Sequence, residues 1–252
     1  MCRILAYLGP PVTLDALLIA PEHSLLRQSW APRHQRHGTV NADGFGVGWY
    51  EPTLRLEPAR YRRARPMWGD PSFASLAGVV RSGAVLGAVR SATPPLAVAD
   101  TNTAPFTAGR WLFAHNGSVE GFCDGPAVKL RTTISPRRAA AIEGATDSEL
   151  LFAMVLDRLD AGTEPGKALA EVIDIVTRVA PARLNMFLTD GERLVATARG
   201  DSLFVLDDAG VARDATIVAS EPFDDDPAWL AVPDQSVVRA TAHDHTIGTL
   251  LP

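Results

Sequence analysis

Only two cysteines occur in the 252 residues, Cys2 and Cys123, too few for a disulfide framework. Lysine is nearly missing as well: Lys129 and Lys167 stand alone, and every other strongly basic residue is arginine. The formal net charge is -5, so the basic excess that phosphate backbones demand is lacking and no nucleic-acid partner is expected. No apolar run approaches the roughly 18 residues of a membrane span. The opening MCRILAYLGPPV has no basic region followed by a longer apolar stretch and a small-residue cleavage site, so it does not read as a signal peptide. Internal repeats and low-complexity tracts are missing too. The expected setting is a reducing cytoplasm, where a free thiol stays available.

What is present is ordinary globular material, 46% hydrophobic and 21% charged, enough for a large core. Nothing marks an internal boundary, so residues 1–252 read as one domain. A buried strand is expected at 2–8, then a helical pattern through Leu14, Leu17, Leu18 and Leu25 broken at Pro21. Residues 30–42 have no period and read as a loop. In GFGVGWY at 44–50 the glycines suit a strand with close backbone neighbours. Further strands are expected at 85–90, 111–115, 184–189, 193–198, 202–206, 215–220 and 236–240, with Asp190-Gly191 as a hairpin signal. Thr146 and Glu149 have capping-box spacing before a helix that stops near Gly162. A second helix starts near Pro165 and ends before Pro181. The polar segment 123–146 reads as a loop. Many short strands with grouped helices predict an α+β fold of antiparallel sheets covered by helices.

The chemistry centres on Cys2. If Met1 is removed, one residue holds both a thiol and a free α-amine, groups that titrate within about two units of neutral pH in simple peptides. The amine can take the thiol proton and later return it to a leaving nitrogen. Taken alone, a cysteine in an apolar strand is more often inert packing. Its company changes the weighing: NADGFGVGWY at 41–50, RSAT at 90–93, HNG at 115–117 and TDSE at 146–149 follow in that order.

This ordered set resembles the class II glutamine amidotransferases, whose N-terminal cysteine hydrolyses the side-chain amide of glutamine. The resemblance is clear over residues 2–149, and SEP at 220–222 adds a later match. It implies the four-layer αββα sandwich of N-terminal-nucleophile hydrolases. It also implies roles: Arg90 grips the substrate α-carboxylate, with Thr93 adding a hydroxyl. Asn116 and Gly117 form the oxyanion hole beside His115, and Asp147 holds the α-ammonium. Each has a plainer reading, namely a surface ion pair for Arg90, a turn for Asn116-Gly117 and a helix-dipole partner for Asp147. Asp43 and Gly44 are expected to shape the loop beside the nucleophile rather than to react.

Over its whole length the chain is similar to the branch of this family that removes glutamate from γ-glutamyl-hercynylcysteine S-oxide in ergothioneine biosynthesis. QSWAPRHQRHG at 28–38, MWGDPSFAS at 67–75, APFT at 104–107 and SEPFDDDPAW at 220–229 carry that closer match. Thr93-Pro94-Pro95 departs from ammonia-producing relatives, where a glycine often follows. The substrate is then a small molecule, with no metal or organic cofactor and no obligate protein partner expected. A trimethylammonium on the leaving group attracts acidic and aromatic side chains, which makes Asp224, Asp225, Asp226, Trp229 and Trp30 candidates. A solvated acidic loop and a packing tryptophan are the competing reading. His34 and His37, or His243 and His245, lack the third and fourth ligands of a zinc site. Cys123 and the arginines of 60–65 read as bystanders. Two other functions stay open: a glutaminase subunit feeding ammonia to a synthase, and a non-catalytic module that keeps the fold.

Overall fold

The computed structural model describes residues 2–208 and 210–250. Thirteen strands are found among them, in two sheets whose pairs are all antiparallel. The first sheet contains β1 (Cys2–Thr13), β2 (Phe45–Trp49), β3 (Ala59–Arg63), β4 (Arg81–Arg90), β9 (Phe204–Asp207), β10 (Thr216–Ala219) and β11 (Leu230–Ala231). Its order is β11-β9-β10-β1-β4-β2-β3. The second contains β5 (Phe106–Ala108), β6 (Trp111–Val119), β7 (Ala182–Thr189), β8 (Leu194–Ala198), β12 (Ser236–Ala240) and β13 (His245–Thr249), ordered β13-β12-β8-β7-β6-β5.

Period-two alternation divides each central strand between two cores. Ile4, Ala6 and Leu8 of β1 and Ala84, Leu86 and Ala88 of β4 face Leu112, Ala114, Phe187 and Ala196 of the other sheet. Alanine at so many of these positions lets the sheets approach closely. On the outer side of the first sheet, Leu5 and Tyr7 pack with helices α1 (Leu14–Leu18), α2 (Leu25–Gln28) and α3 (Pro71–Ala77). Against the second sheet lie α4 (Pro126–Arg131), α5 (Pro136–Ala140), α6 (Asp147–Asp160) and α7 (Pro165–Val179), through Leu151, Met154, Leu169 and Val172. The layers are therefore helix, sheet, sheet, helix, the expected αββα sandwich.

Several boundaries move. β1 runs on to Thr13 past a bulge between Leu8 and Val12, and β4 begins at Arg81. Residues 30–42 are loop as expected, but 123–146 holds the short helices α4 and α5, each opened by proline at its first turn. Asp190-Gly191 lies in a four-residue connection, since Thr189 pairs with Leu194. Thr146 caps α6 by accepting from the Glu149 amide. The Glu149 carboxylate instead accepts from the Glu143 and Gly144 amides, at 2.8 and 2.6 Å, and so holds the preceding loop.

The glycines of β2 have a definite reason. A Cβ on Gly46 would overlap the Ala104 carbonyl oxygen, and one on Gly48 would come within 2.6 Å of Leu112. Among the described residues no helix is long and apolar enough to cross a membrane.

Candidate active site

The start of β1 and the end of β4 meet at one end of the sandwich. Cys2 and Arg90 are register partners, and directly opposed residues of an antiparallel pair project to the same face. Arg90 is buried, and both terminal nitrogens of its guanidinium donate to the Ala97 carbonyl at 3.4 Å. Burial lowers its pKa from the ordinary arginine value, while Cys2, Asp43 and Asp147 push it the other way. An arginine stays charged in proteins, so these long bonds leave a cation with capacity for a stronger acceptor.

Asn116 approaches from the second sheet. It is fully buried in β6, and its Oδ1 accepts from the Cys2 backbone nitrogen at 3.0 Å. The amide Nδ2 is buried with no hydrogen-bond partner among the described residues. Buried donors are seldom left this way. A side chain whose oxygen is fixed on the Cys2 nitrogen and whose N–H groups are unused suits an acceptor that gains charge. Gly117 follows with φ +148, and a Cβ there would overlap the Arg183 carbonyl. Only glycine fits this position.

Asp147 is the first residue of α6. Its Oδ2 accepts from the Val119 amide at 3.0 Å and its Oδ1 from the Ser148 amide at 2.7 Å. These donors fix the carboxylate in the wall of a small cleft that is lined also by Cys2, Arg90, Thr93, His115 and Gly117. The structure thus gathers seven candidates in one place: Cys2, Arg90, Thr93, His115, Asn116, Gly117 and Asp147. His115 has its ring occupied. Nε2 donates to the Arg183 carbonyl at 3.0 Å, which leaves Nδ1 to accept from the Ser148 hydroxyl at 3.1 Å. It therefore ties β6 and β7 to the head of α6. Asp43 accepts from the Ala92 amide at 2.8 Å, shaping the loop as expected.

The candidates for the leaving-group cation do not line this cleft. Asp225 is already ion-paired with Arg33 at 2.8 Å and in contact with His23 Nε2 at 3.3 Å. Trp229 stands edge-on against Phe223 at 5.5 Å and donates its indole N–H to Asp224 at 2.7 Å. Trp30 packs on Trp68 at 5.6 Å beneath the Arg27 guanidinium. Glu22, His23 and Asp225 bring possible metal-ligand atoms within 4.8 Å of one another, but the Arg33 guanidinium on Asp225 opposes a cation there. Cys123 is exposed and away from the cleft.

Sequence reasoning missed the supports of the site. Arg3 and Glu221, both fully buried, form an ion pair at 3.6 Å, and Glu221 also accepts from the Arg33 and His34 amides. Ser220 accepts from the Ile4 amide at 3.0 Å. The SEP motif therefore seats the first residues of β1 and the loop 30–42 on one carboxylate and one hydroxyl. Asn102 is a second brace, donating to the Ala97 carbonyl and accepting from the Ala145 amide at 2.9 Å each.

The family model for class II glutamine amidotransferases matches residues 22–213. The chain belongs to that family. A protein of Mycobacterium tuberculosis (strain CDC 1551 / Oshkosh) named gamma-glutamyl-hercynylcysteine sulfoxide hydrolase is 41% identical over 252 residues, covering 99% of this chain and 97% of its own. One of the same name from Mycolicibacterium smegmatis is 41% identical over 239 residues, covering 94% and 95%. A solved class II glutamine aminotransferase domain protein from Silicibacter pomeroyi superposes with a TM-score of 0.74 at 27% identity over the whole of both chains.

Proposed function

We propose that this class II amidotransferase domain hydrolyses the γ-glutamyl amide of γ-glutamyl-hercynylcysteine S-oxide, releasing glutamate and hercynylcysteine S-oxide through a thioester on Cys2. The observation that carries the chemistry is the pairing of the Cys2 nitrogen with Asn116 Oδ1, which holds next to Cys2 a side chain whose buried Nδ2 has no partner among the described residues. The two relatives that match nearly end to end support the choice of amide.

Arg90 receives the α-carboxylate of the glutamyl head with its guanidinium fork, and Asp147 receives the α-ammonium. Two opposite charges at fixed positions select an amino-acid zwitterion and lay its γ-carbonyl beside Cys2. Removal of Met1 gives Cys2 its α-amine, which accepts the thiol proton as sulfur attacks the carbonyl carbon. The π electrons move to oxygen, where Asn116 Nδ2 and the Gly117 amide stabilise the oxyanion. Collapse breaks the C–N bond, and the protonated α-amine delivers its proton to the leaving nitrogen. The same amine then deprotonates a water that attacks the thioester, and the Cys2 thiol returns as glutamate leaves.

The test is a product assay on wild type and Cys2→Ala with the γ-glutamyl sulfoxide and with glutamine, alongside intact-mass measurement of the N-terminus. Glutamate release from the sulfoxide, abolished in Cys2→Ala and accompanied by loss of Met1, is expected. A strong preference for glutamine returns the ammonia-supplying alternative. An active protein that retains Met1 overturns the amine's role.

A further inference from the structure

Arg3 follows the nucleophile in the chain but projects to the opposite side of β1. By strand alternation it lies with Leu5 and Tyr7 on the outer side, whereas Cys2 lies with Ile4 and Ala6 on the inner one. Its side chain is fully buried, 3.6 Å from the equally buried Glu221 carboxylate, and Nη1 donates to Ser202 Oγ at 3.5 Å. Nε and Nη2 have no hydrogen-bond partner among the described residues. Burial lowers the Arg3 pKa from the ordinary arginine value, while Glu221, Asp201 and Cys2 push it the other way. The guanidinium stays charged, and Cys2 is within its electrostatic reach.

Such a pair is a poor device for stability. Apolar residues of similar volume commonly pack as well or better, and two of the three guanidinium nitrogens here bind nothing. What the pair achieves is a junction. Glu221 accepts from the Arg33 amide at 3.0 Å and from the His34 amide at 2.9 Å, which fixes the start of the loop 30–42. The far end of that loop is fixed on the strand opposite Cys2, where the Asp43 amide donates to the Arg90 carbonyl at 2.9 Å. Beside Glu221, Ser220 donates its amide to the Ile4 carbonyl at 2.8 Å and accepts from the Ile4 amide on Oγ at 3.0 Å. One buried carboxylate thus joins the loop to the strand end that presents Cys2, and the residue after the nucleophile balances its charge.

We infer that Glu221 is a positioning residue for the nucleophile: with Arg3 as its counterion, it locks the loop 30–42 to the start of β1 and keeps the charge behind Cys2 balanced. The assignment rests on the function proposed above, in which the Cys2 amine moves the proton. Neither side chain lines the cleft. The charged and titratable groups that face Cys2 from other elements are Arg90 of β4, Asp147 of α6, His115 of β6 and Asp43 ahead of β2. Behind it, Arg3 faces Glu221 and Asp201, of which Asp201 pairs with Arg183 at 3.3 Å and adjoins His37. The Arg3–Glu221 pair can be unbalanced without altering a cleft residue. A cation left near an amine favours its neutral form, and an anion favours its protonated form.

The experiment records kcat and KM against pH for wild type, Glu221→Gln, Arg3→Met and the double variant, with the γ-glutamyl sulfoxide and with glutamine. In Glu221→Gln the uncompensated Arg3 cation is expected to move the acidic limb of the kcat/KM profile about one pH unit lower, the scale of a single nearby charge. Arg3→Met leaves the Glu221 anion unbalanced and is expected to move the limb about as far the other way. The double variant removes both charges and is expected to return the limb to its wild-type place. In each variant kcat is expected to fall about tenfold or more, within the roughly 10²-fold cost of misplacing a reacting group by about 1 Å. KM, set by Arg90 and Asp147, is expected to change much less. A limb that stays fixed, or moves the same way in both single variants, reduces the pair to packing and overturns the inference. A rise in KM with kcat unchanged overturns it as well. Should Glu221→Gln fail to fold by circular dichroism, Arg3→Met decides alone, because Glu221 there keeps both loop amides. A strong preference for glutamine overturns the substrate reading, and the glutamine profiles then decide this inference. A wild type inactive on both amides overturns both.

Discussion

The Cys2 backbone nitrogen lies 3.0 Å from Asn116 Oδ1, a single hydrogen bond that ties the first strand of one sheet to a central strand of the other. The bond orders two things together. It fixes the position from which a Cys2 amine would move protons, and it leaves Asn116 Nδ2 without a hydrogen-bond partner among the described residues. In the same cleft Arg90 faces Cys2 across the β1–β4 pair, and Asp147 is clamped by two backbone amides. Under the proposed function these four side chains would act as nucleophile, charge-stabilising donor and two clamps, an arrangement fixed by the protein's own hydrogen bonds, as preorganised electrostatic catalysis requires.

Asn116→Asp keeps an acceptor for the Cys2 nitrogen and removes the donor. Single-turnover glutamate release is expected to slow by about 10²–10³-fold, the usual effect of losing one oxyanion donor, with KM changed much less. Asn116→Ala is expected to lose at least as much, because it also releases the Cys2 nitrogen. A loss below tenfold in both would remove Asn116 from the oxyanion site.

Arg90→Lys retains the charge and loses the fork. Its long contacts to the Ala97 carbonyl contribute little, so the variant should fold and show its deficit on substrate. KM for γ-glutamyl substrates is expected to rise about 10–100-fold, the scale of one charge-assisted hydrogen bond or two. Initial-rate kinetics with glutamine and the sulfoxide should show equal rises, since both carry the same head group. A rise confined to one of them would contradict the clamp.

Gly117→Ala forces a side chain at φ +148 into the Arg183 carbonyl and toward His115. Relief requires β6 and β7 to separate where Gly117 pairs with Leu184. Overpacking of this kind typically costs about 1–3 kcal/mol, so thermal unfolding should move down by several degrees. Activity should fall further than stability, because the same shift carries Asn116 away from Cys2. Unchanged unfolding would mean that the strand gives way without effort.

The sequence revealed elements where one physical signal dominated. Apolar runs marked β1 and β7, and a cap with helical spacing marked α6. It failed where that signal was missing. β3 is ARYRR, an edge strand with arginines on both faces and no apolar alternation to read. α4 and α5 are single turns set by proline and a Ser135 cap, too short to show a period. For the site, ordered motifs pointed to residues that do share one cleft, because those side chains sit at strand ends and at a helix start. The supports were hidden because their partners are distant in the chain: Arg3 meets Glu221, and Asn185 meets Asp201. Asp225 and Trp229 suit a cation by residue type, but Asp225 is paired with Arg33, distant in the chain, and Trp229 donates to its neighbour Asp224. Asp201, whose partners also come from distant segments, carried no local signal at all.

Asp70 offers a test of the frame that does not pass through catalysis. It caps α3 by accepting from the Phe73 amide at 3.0 Å, and it accepts from the Tyr61 hydroxyl at 2.8 Å. Burial alone would raise its pKa, but the Phe73 amide, the Tyr61 hydroxyl and the nearby Arg65 and Arg63 outweigh it and hold the carboxyl below its ordinary value. A carboxyl depressed in the folded state stabilises fully above its unfolded value, and that contribution is lost as pH falls through the folded one. Asparagine caps a helix about as well as aspartate, so Asp70→Asn isolates the charge. Urea unfolding should show the variant less stable by about 1 kcal/mol at pH 7. The gap should narrow as pH drops below the ordinary carboxylate range, where wild type loses the same charge. A gap that is constant with pH would mean that the hydrogen-bond geometry, and not the ionised carboxylate, holds α3 against the sheet.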